Sequence, residues 1–333
     1  MRILIIGAGV IGSFNAARLA EGGHDVSLLA RGRRLAELRE HGVVLENGRR
    51  PAGGRTTTRV PLVEQVGPDD TYELAVVVLR RNQIPSILPL LARATRISSV
   101  LFLGNNAAGS SDLVEALGRD RVLIGMVNAG GERQGHVVRY LWWPRLPLQL
   151  GELDGRRSAR TDAIVRAFET AGLPARVRAH MDAYLKTHAA GLPGFAGAMY
   201  RAGGVRQLAR RPELLRLCVE SMREALRALI QLDVRLLPSA TRLALWMPRP
   251  LIVLALRLLL DTELAVVGGE RHANAAPDEM KEIADEIREL FRQAGMVAPA
   301  SAQLFADVDA RAQLVGALSA TPERGQESSC VGH

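Results

Sequence analysis

The sequence predicts an α/β chain: an N-terminal parallel sheet covered by helices, then a C-terminal all-helical domain. Three observations predict it. A glycine-rich turn, Gly7-Ala8-Gly9-Val10-Ile11-Gly12, joins an apolar run to a helical one. Short β-branched runs then alternate with amphipathic stretches, the mark of βαβ units. From His180 onward the texture is almost wholly helical.

The elements follow in order. ILIIG (3–7) reads as an apolar strand, and a helix runs from Val10 to Glu21, stopped by Gly22-Gly23. DVSLLA (25–30) is a second strand and RRLAELREHG a second helix. Residues 43–60 read as a strand, a Gly/Pro/Arg turn and a return strand. LAVVVL (74–79), SVLFLG (99–104) and VLIGMV (122–127) are continuous apolar runs, as expected of strands buried on both faces. PSILPLLARA supplies a helix between the first two of these. HVVRYLWW and PLQLGE read as late strands, and residues 158–172 as a helix. Beyond them, PELLRLCVESMREALRALIQL and DEMKEIADEIRELFRQAG carry apolar residues at helical spacing, with Gly295 as the C-terminal stop of the second. The expected division is 1–179 for the sheet domain, 180–320 for the helical domain and 321–333 for a polar, disordered tail.

Composition excludes several classes. With 333 residues, 47% hydrophobic and 23% charged, the chain is long enough for two cores and has the balance of a globular protein. The net charge of +8 comes from scattered arginines, with four Tyr and six Phe to stack on bases, so nucleic acid is not the expected partner. Cys218 and Cys330 make no disulfide framework, and a reducing, cytoplasmic compartment is expected. The glycine-punctuated N-terminus fits a core strand better than a signal peptide. Residues 243–260 are strongly apolar, but Pro248, Arg249, Pro250 and Arg257 interrupt them, so no membrane span is expected. They read as a buried helix, a subunit contact in a homodimer, or the wall of an apolar ligand site.

The glycine turn sits where a dinucleotide fingerprint belongs, after a strand and opening a helix, which makes the sheet Rossmann-type. Gly7 permits the tight turn, Gly9 leaves room for a pyrophosphate, and Gly12 lets helix and strand pack closely. With Val10 and Ile11 they form the expected phosphate cradle at a helix N-terminus. An NAD site usually ends its second strand in Asp or Glu; this one ends in Ala30-Arg31-Gly32-Arg33-Arg34. A fork of guanidinium donors suits a 2′-phosphate, so NADPH is the expected cofactor and Arg31 its selector. The competing reading is a solvated basic loop. Arg80, Arg81 and Gln83 after the fourth strand, and Asn105 and Asn106 after the fifth, stand at the carboxyl ends where such sheets bind ligands.

Lysine occurs at only two positions, 186 and 281; the other 41 basic residues are arginine. Lys186 falls on the first helix of the second domain. A lysine can hand a proton to a carbonyl oxygen as hydride arrives, whereas arginine keeps its proton. The competing reading is a surface lysine, which fits Lys281. His180, His188 and His272 form no metal-ligand spacing, and no metal is expected. Glu279 stands in the first turn of a long helix, a place acids favour anyway.

At these residues the chain resembles the ketopantoate reductase family, over nearly its whole length apart from the tail. The resemblance rests on GAGVIG, on VLRRNQ (78–83), on NNAAG (105–109), on QGHVVRY and LQLGELDG, and on the D-x-x-x-K segment ending at Lys186. It implies an NADPH-binding first domain, a helical second domain, and reduction of 2-dehydropantoate or a related 2-oxo acid or ketone. It implies Lys186 as general acid, Asn106 beside the nicotinamide and substrate, and Arg31 and Arg80 near the adenosine phosphate. Counting back from Gly295 without gaps, it implies Glu279 as the active-site glutamate. There are departures. Ala190 and Gly194 stand where the family has asparagines, Val267 where it has a serine, and Ala107 where it has a glycine. The cofactor half of the pattern is intact while the substrate half is altered, which points to a bulkier or less polar carbonyl substrate. Another two-domain hydroxyacid dehydrogenase and a catalytically silent NADP(H) sensor are the alternatives.

Overall fold

The computed structural model describes residues 1–49, 53–127, 129–262 and 265–320. Among the described residues, twelve strands alternate at first with helices. They are β1 (Arg2–Ile6), β2 (Asp25–Leu29), β3 (Val43–Asn47), β4 (Arg55–Thr58), β5 (Leu62–Val63), β6 (Tyr72–Val77), β7 (Ile97–Leu103), β8 (Val122–Met126), β9 (Ala129–Gln134), β10 (Val137–Trp142), β11 (Leu148–Gly151) and β12 (Ala175–Val177). Between them lie α1 (Val10–Glu21), α2 (Gly32–His41), α3 (Ile84–Arg93), α4 (Ser111–Leu117) and α5 (Ala159–Thr170).

The main sheet has the order β12-β11-β8-β7-β6-β1-β2-β5. From β8 to β5 every neighbouring pair is parallel, and β11 runs antiparallel to β8. The chain order reverses between β1 and β6, and there the crevice opens at the carboxyl ends of the strands. The central strands are buried on both faces, because helices cover both.

A second, four-stranded sheet, β4-β3-β10-β9, is a feature that strand periodicity did not foresee. It lies over α1, where Phe14 meets Tyr140 and Trp142 at ring-centroid distances of 4.7 and 6.4 Å. Helix α1 is thereby buried nearly all round, from Gly12 to Ala17 without a break. Its run of small and apolar residues suits a helix held between two sheets.

From Met181 the described chain is helical: α6 (Met181–Ala189), α7 (Leu192–Ala202), α8 (Val205–Leu208), α9 (Pro212–Gln231), α10 (Leu243–Trp246), α11 (Arg249–Leu260), α12 (His272–Ala275), α13 (Pro277–Gln293) and α14 (Pro299–Ala320). Helices α7, α9, α13 and α14 share one core. Glycines on α7 set its closeness to the others. A Cβ at Gly197 would lie 2.1 Å from the Leu304 carbonyl oxygen, and one at Gly194 2.5 Å from Ser221 Oγ. Gly194 is thus a packing requirement, and the larger residue of the family pattern has no room there. Ala190 is likewise fully buried. The Val267 side chain and the 321–333 tail lie outside the described residues.

Residues 243–260 do not form a buried helix. Leu251, Leu254, Leu258 and Leu259 of α11 turn outward, as do Leu243 and Trp246 before it, and Trp246 is 85% exposed. The opposite side of α11 rests on α9. No helix among the described residues is long and apolar enough to cross a membrane.

Candidate active site

The glycine turn has the geometry its sequence required. Gly7 has φ +112°, and a Cβ there would lie 2.3 Å from the Val78 carbonyl oxygen. At Gly12 a Cβ would lie 1.8 Å from the Gly7 carbonyl oxygen. At Gly9 it would meet nothing within 4 Å. Gly9 is also the N-cap of α1, with no side chain capping it, so Val10, Ile11 and Gly12 face the opening with uncapped backbone. A dinucleotide pyrophosphate therefore fits at this turn, against amide donors and the positive end of the helix dipole. Gly9→Ala is expected to fold with unchanged melting temperature and to lose dinucleotide affinity at least tenfold by fluorescence titration. Loss of fold with the affinity would mean the space is structural.

The arginines at the end of β2 divide their work. Arg34 crosses from α2 to the turn, donating from Nε to the Ala8 carbonyl at 3.1 Å and from a terminal nitrogen to Ser13 Oγ at 3.2 Å. Burial lowers its pKa, partly offset by its hydrogen bond to Glu37. Arg31 is exposed at the N-cap of α2, held by its Nε on the Glu64 carbonyl at 3.0 Å. Arg33 pairs with Glu37 along the helix.

The loop after β7, Asn105 to Gly109, gathers the remaining candidates. Asn106 is buried and binds Gly109 in both directions: Nδ2 donates to its carbonyl at 2.7 Å, and Oδ1 accepts its N–H at 2.8 Å. This closes the loop and holds Gly109 at φ +93°, a conformation suited to glycine. A Cβ at Gly109 would lie 3.3 Å from both Lys186 Nζ and Asp182 Oδ1. Lys186 thus lies against the loop, 17% exposed, with Nζ 2.8 Å from Asp182 Oδ2 one helical turn away. Asn105 reaches the other side of the crevice, its Nδ2 donating to Glu279 Oε1 at 3.2 Å.

Glu286, unread in the sequence, ties the loop to α13. One carboxylate oxygen accepts the N–H groups of Ala107 and Ala108 at 2.8 and 3.2 Å; the other accepts from Arg81 Nε at 2.5 Å. Arg81 also donates to Asp112 at 2.9 Å. Arg81 and Glu286 are 8% and 7% exposed. Burial alone would lower the Arg81 pKa, but the two carboxylates outweigh it and the net shift is upward. One signal was available: Glu286 follows Glu279 by seven residues, two turns along the same helix face.

Arg80 is engaged across the crevice too, donating to Asp278 at 3.0 Å and to the Ala275 carbonyl. Desolvation opposes ionisation of Asp278, yet the Asn82 hydrogen bond and the Arg80 charge hold its carboxyl below the usual range. Gln83 is exposed, and its side chain accepts the Arg80 N–H at 3.4 Å. His180 and His188 are exposed, the His272 side chain lies outside the described residues, and Lys281 pairs with Asp285 at 2.6 Å on the surface. Burial pushes the Cys218 thiol up to about 12, which keeps it un-ionised and unreactive.

Fold and crevice together join a dinucleotide-type parallel sheet to a helical partner. Residues 3–154 match the family described as Ketopantoate reductase PanE/ApbA. The chain is similar to an uncharacterized oxidoreductase, YkpB, of Bacillus subtilis (strain 168), 23% identical over 186 residues, 55% of this chain and 59% of that one. It is 27% identical over 180 residues to a 2-dehydropantoate 2-reductase of Pyrococcus horikoshii, covering 53% of this chain and 56% of the relative. The matches thus span less than two thirds of these relatives. In fold, the chain is similar to D-mandelate dehydrogenase in its ternary structure with NADH and anilino(oxo)acetate. The TM-score is 0.75 at 17% identity, over 95% of this chain and 99% of that one.

Proposed function

We propose that the chain reduces the carbonyl of a small 2-oxo acid or ketone with NADPH, in the manner of the ketopantoate reductases. Residues 1–179 hold the cofactor and 180–320 supply the catalytic lysine. The observation that carries this reading is Lys186, held by Asp182 against Gly109 at the mouth of a parallel sheet whose glycine turn is open at Gly9.

The residues present suit a dinucleotide, and a bound reduced nicotinamide would supply the hydride. Lys186 Nζ has three N–H donors; one is directed at Asp182, which leaves others for a carbonyl oxygen. As negative charge grows on that oxygen, the ammonium stabilises it and then transfers a proton. The residual exposure of Lys186 lets the amine be reprotonated from solvent. Asn106 and Gly109 fix the loop against which the lysine rests, and Glu279, hydrogen-bonded to Asn105, orients the substrate. That the D-mandelate dehydrogenase structure holds NADH supports a nicotinamide cofactor here.

Preference for NADPH is assigned to Arg31, which stands where an acid would bind the ribose hydroxyl. Charge-assisted hydrogen bonds of this kind contribute about 1.5–3 kcal/mol. Arg31→Asp is therefore expected to weaken NADPH binding roughly 10- to 100-fold and to spare NADH. Equal titration curves for the two proteins would reject that assignment.

A second copy of the chain is proposed to cover the outward leucines of α11. Sedimentation velocity checks it: a dimer is expected, falling to monomer in Leu254→Glu/Leu258→Glu, whereas a monomeric wild type would dismiss it.

A further inference from the structure

We infer that a groove among the helices, away from the crevice, binds a small amphiphile: an oxyanion head, carboxylate or phosphate, on an apolar tail. The groove lies between the end of α8, the first turns of α9 and one face of α11, and no residue of the crevice lines it. Such a site does not depend on the reductase reading.

The walls of the groove are cationic. Arg210, Arg216, Arg249 and Arg257 line it, all of them exposed, and no acidic residue does; Glu213 and Asp261, on the same helices, lie outside it. Arg249 meets Glu220 at 2.7 Å, and Glu220 is shared with Arg223 at 3.4 Å. Arg210, Arg216 and Arg257 have no carboxylate partner among the described residues. Guanidinium groups gathered round one groove repel one another, and an oxyanion placed between them turns that repulsion into attraction. The planar fork of donors matches the oxygens of a carboxylate or a phosphate. The start of α9 acts in the same sense. Its N-cap, Arg211, gives no side-chain acceptor to the first turn, so the positive end of a 20-residue helix lies beside the groove at Pro212.

The floor is apolar. Ala209, Pro212, Leu215 and Val253 form it, and Leu215 is 1% exposed, part of the core shared by the helices. The groove encloses about 400 Å³, a volume typical of small-molecule sites. Arg249 and Arg257 stand eight residues apart on α11, ~12 Å at the rise of an α-helix, with Val253 midway between them. A head held by arginines therefore has an apolar channel beside it, which an inorganic anion would leave uncovered and a hydrocarbon chain would fill. The occupant is a free molecule and not a bilayer. The floor lies beneath exposed guanidinium groups, within reach of a single chain but not of a flat layer of heads. Leu251 and Leu258 do not line the groove; Leu254 marks its border with the face assigned to a second copy.

Isothermal titration calorimetry on the full-length protein tests this, with each amphiphile kept below its micelle concentration. At least one of decanoate and decyl phosphate is expected to bind saturably, one molecule per chain, and the tighter of them names the head. Its octyl homologue should bind about tenfold more weakly, because each buried methylene is worth roughly fourfold in affinity. Decanol, which has the tail alone, and inorganic phosphate, which has the charge alone, should each bind at least tenfold more weakly. Arg216→Gln/Arg257→Gln changes two exposed positions and should keep its melting temperature while losing the amphiphile at least tenfold. Arg93→Gln/Arg166→Gln removes the same charge from exposed positions elsewhere and should bind as the wild type does. Failure of both amphiphiles to bind overturns the inference. So does equal loss in the two arginine pairs, which would mean attraction to the +8 chain as a whole. Binding abolished by saturating NADP+ would place the amphiphile in the crevice instead. Binding to vesicles of phosphatidylcholine and phosphatidylserine, with none to free decanoate or decyl phosphate, would make the groove a membrane contact and reject the free ligand.

Discussion

Under the proposed function, Lys186→Met is expected to bind NADPH with wild-type affinity and to reduce the substrate 10²- to 10⁴-fold more slowly, the range for loss of a positioned general acid. Methionine keeps the length of the side chain and its packing against Gly109, so the fold stays intact. The loss is expected on kcat, because in the proposed reaction the lysine acts on charge that grows only as hydride arrives. Lys186→Arg is expected not to restore activity. A guanidinium keeps the positive charge but holds its proton at any working pH. Activity in the arginine variant within threefold of wild type would mean that charge alone suffices and that the proton comes from elsewhere.

Glu286→Ala is expected to unfold far more easily than the wild type. Removing this carboxylate leaves the Arg81 guanidinium with only the half-exposed Asp112 and strips the buried Ala107 N–H, and the part-buried Ala108 N–H, of their acceptor. Breaking one side of a buried pair costs about 3–5 kcal/mol, and an unsatisfied buried N–H adds to that. The variant also loosens the Asn105–Gly109 loop, so any activity that survives is reduced. Arg81→Met/Glu286→Met removes both charges and is expected to recover part of the stability, since no uncompensated charge then stays buried. Denaturant titration of the three proteins measures this. A single variant within 1 kcal/mol of wild type would show that Arg81 finds solvent without Glu286.

Most of the first half was legible because each element carries its own pattern. The helix from Val10 to Glu21 and the strand runs 25–30, 74–79, 99–104 and 122–127 stand where apolar spacing and glycine stops put them. The second sheet was not legible. AGGERQ of β9 has no alternating apolar face and is largely uncovered; its conformation comes from pairing with β10. VVRYLW of β10 reads as a strand, yet nothing local says which sheet it joins. The all-round burial of α1 was the available hint. Residues 243–260 misled in the opposite sense, because apolar content suggests burial but cannot say what does the burying.

At the site, glycine turn, Lys186 and the two asparagines were readable from type and place. The work of Asn106 was not: its side chain closes a loop on Gly109, and such a bond depends on backbone geometry that spacing does not encode. Arg81 and Glu286 are 205 residues apart, and their pairing exists only once α13 crosses the loop after β7.

A crystal structure of the protein with NADP+ tests the central proposal most directly. The pyrophosphate should lie on the open side of Gly9, with nicotinamide C4 facing the Asn105–Gly109 loop and Lys186 Nζ within about 5 Å of the space where a carbonyl would meet C4, close enough for a near-attack arrangement. A dinucleotide bound elsewhere, or a nicotinamide with Lys186 turned away from it into solvent, would contradict it.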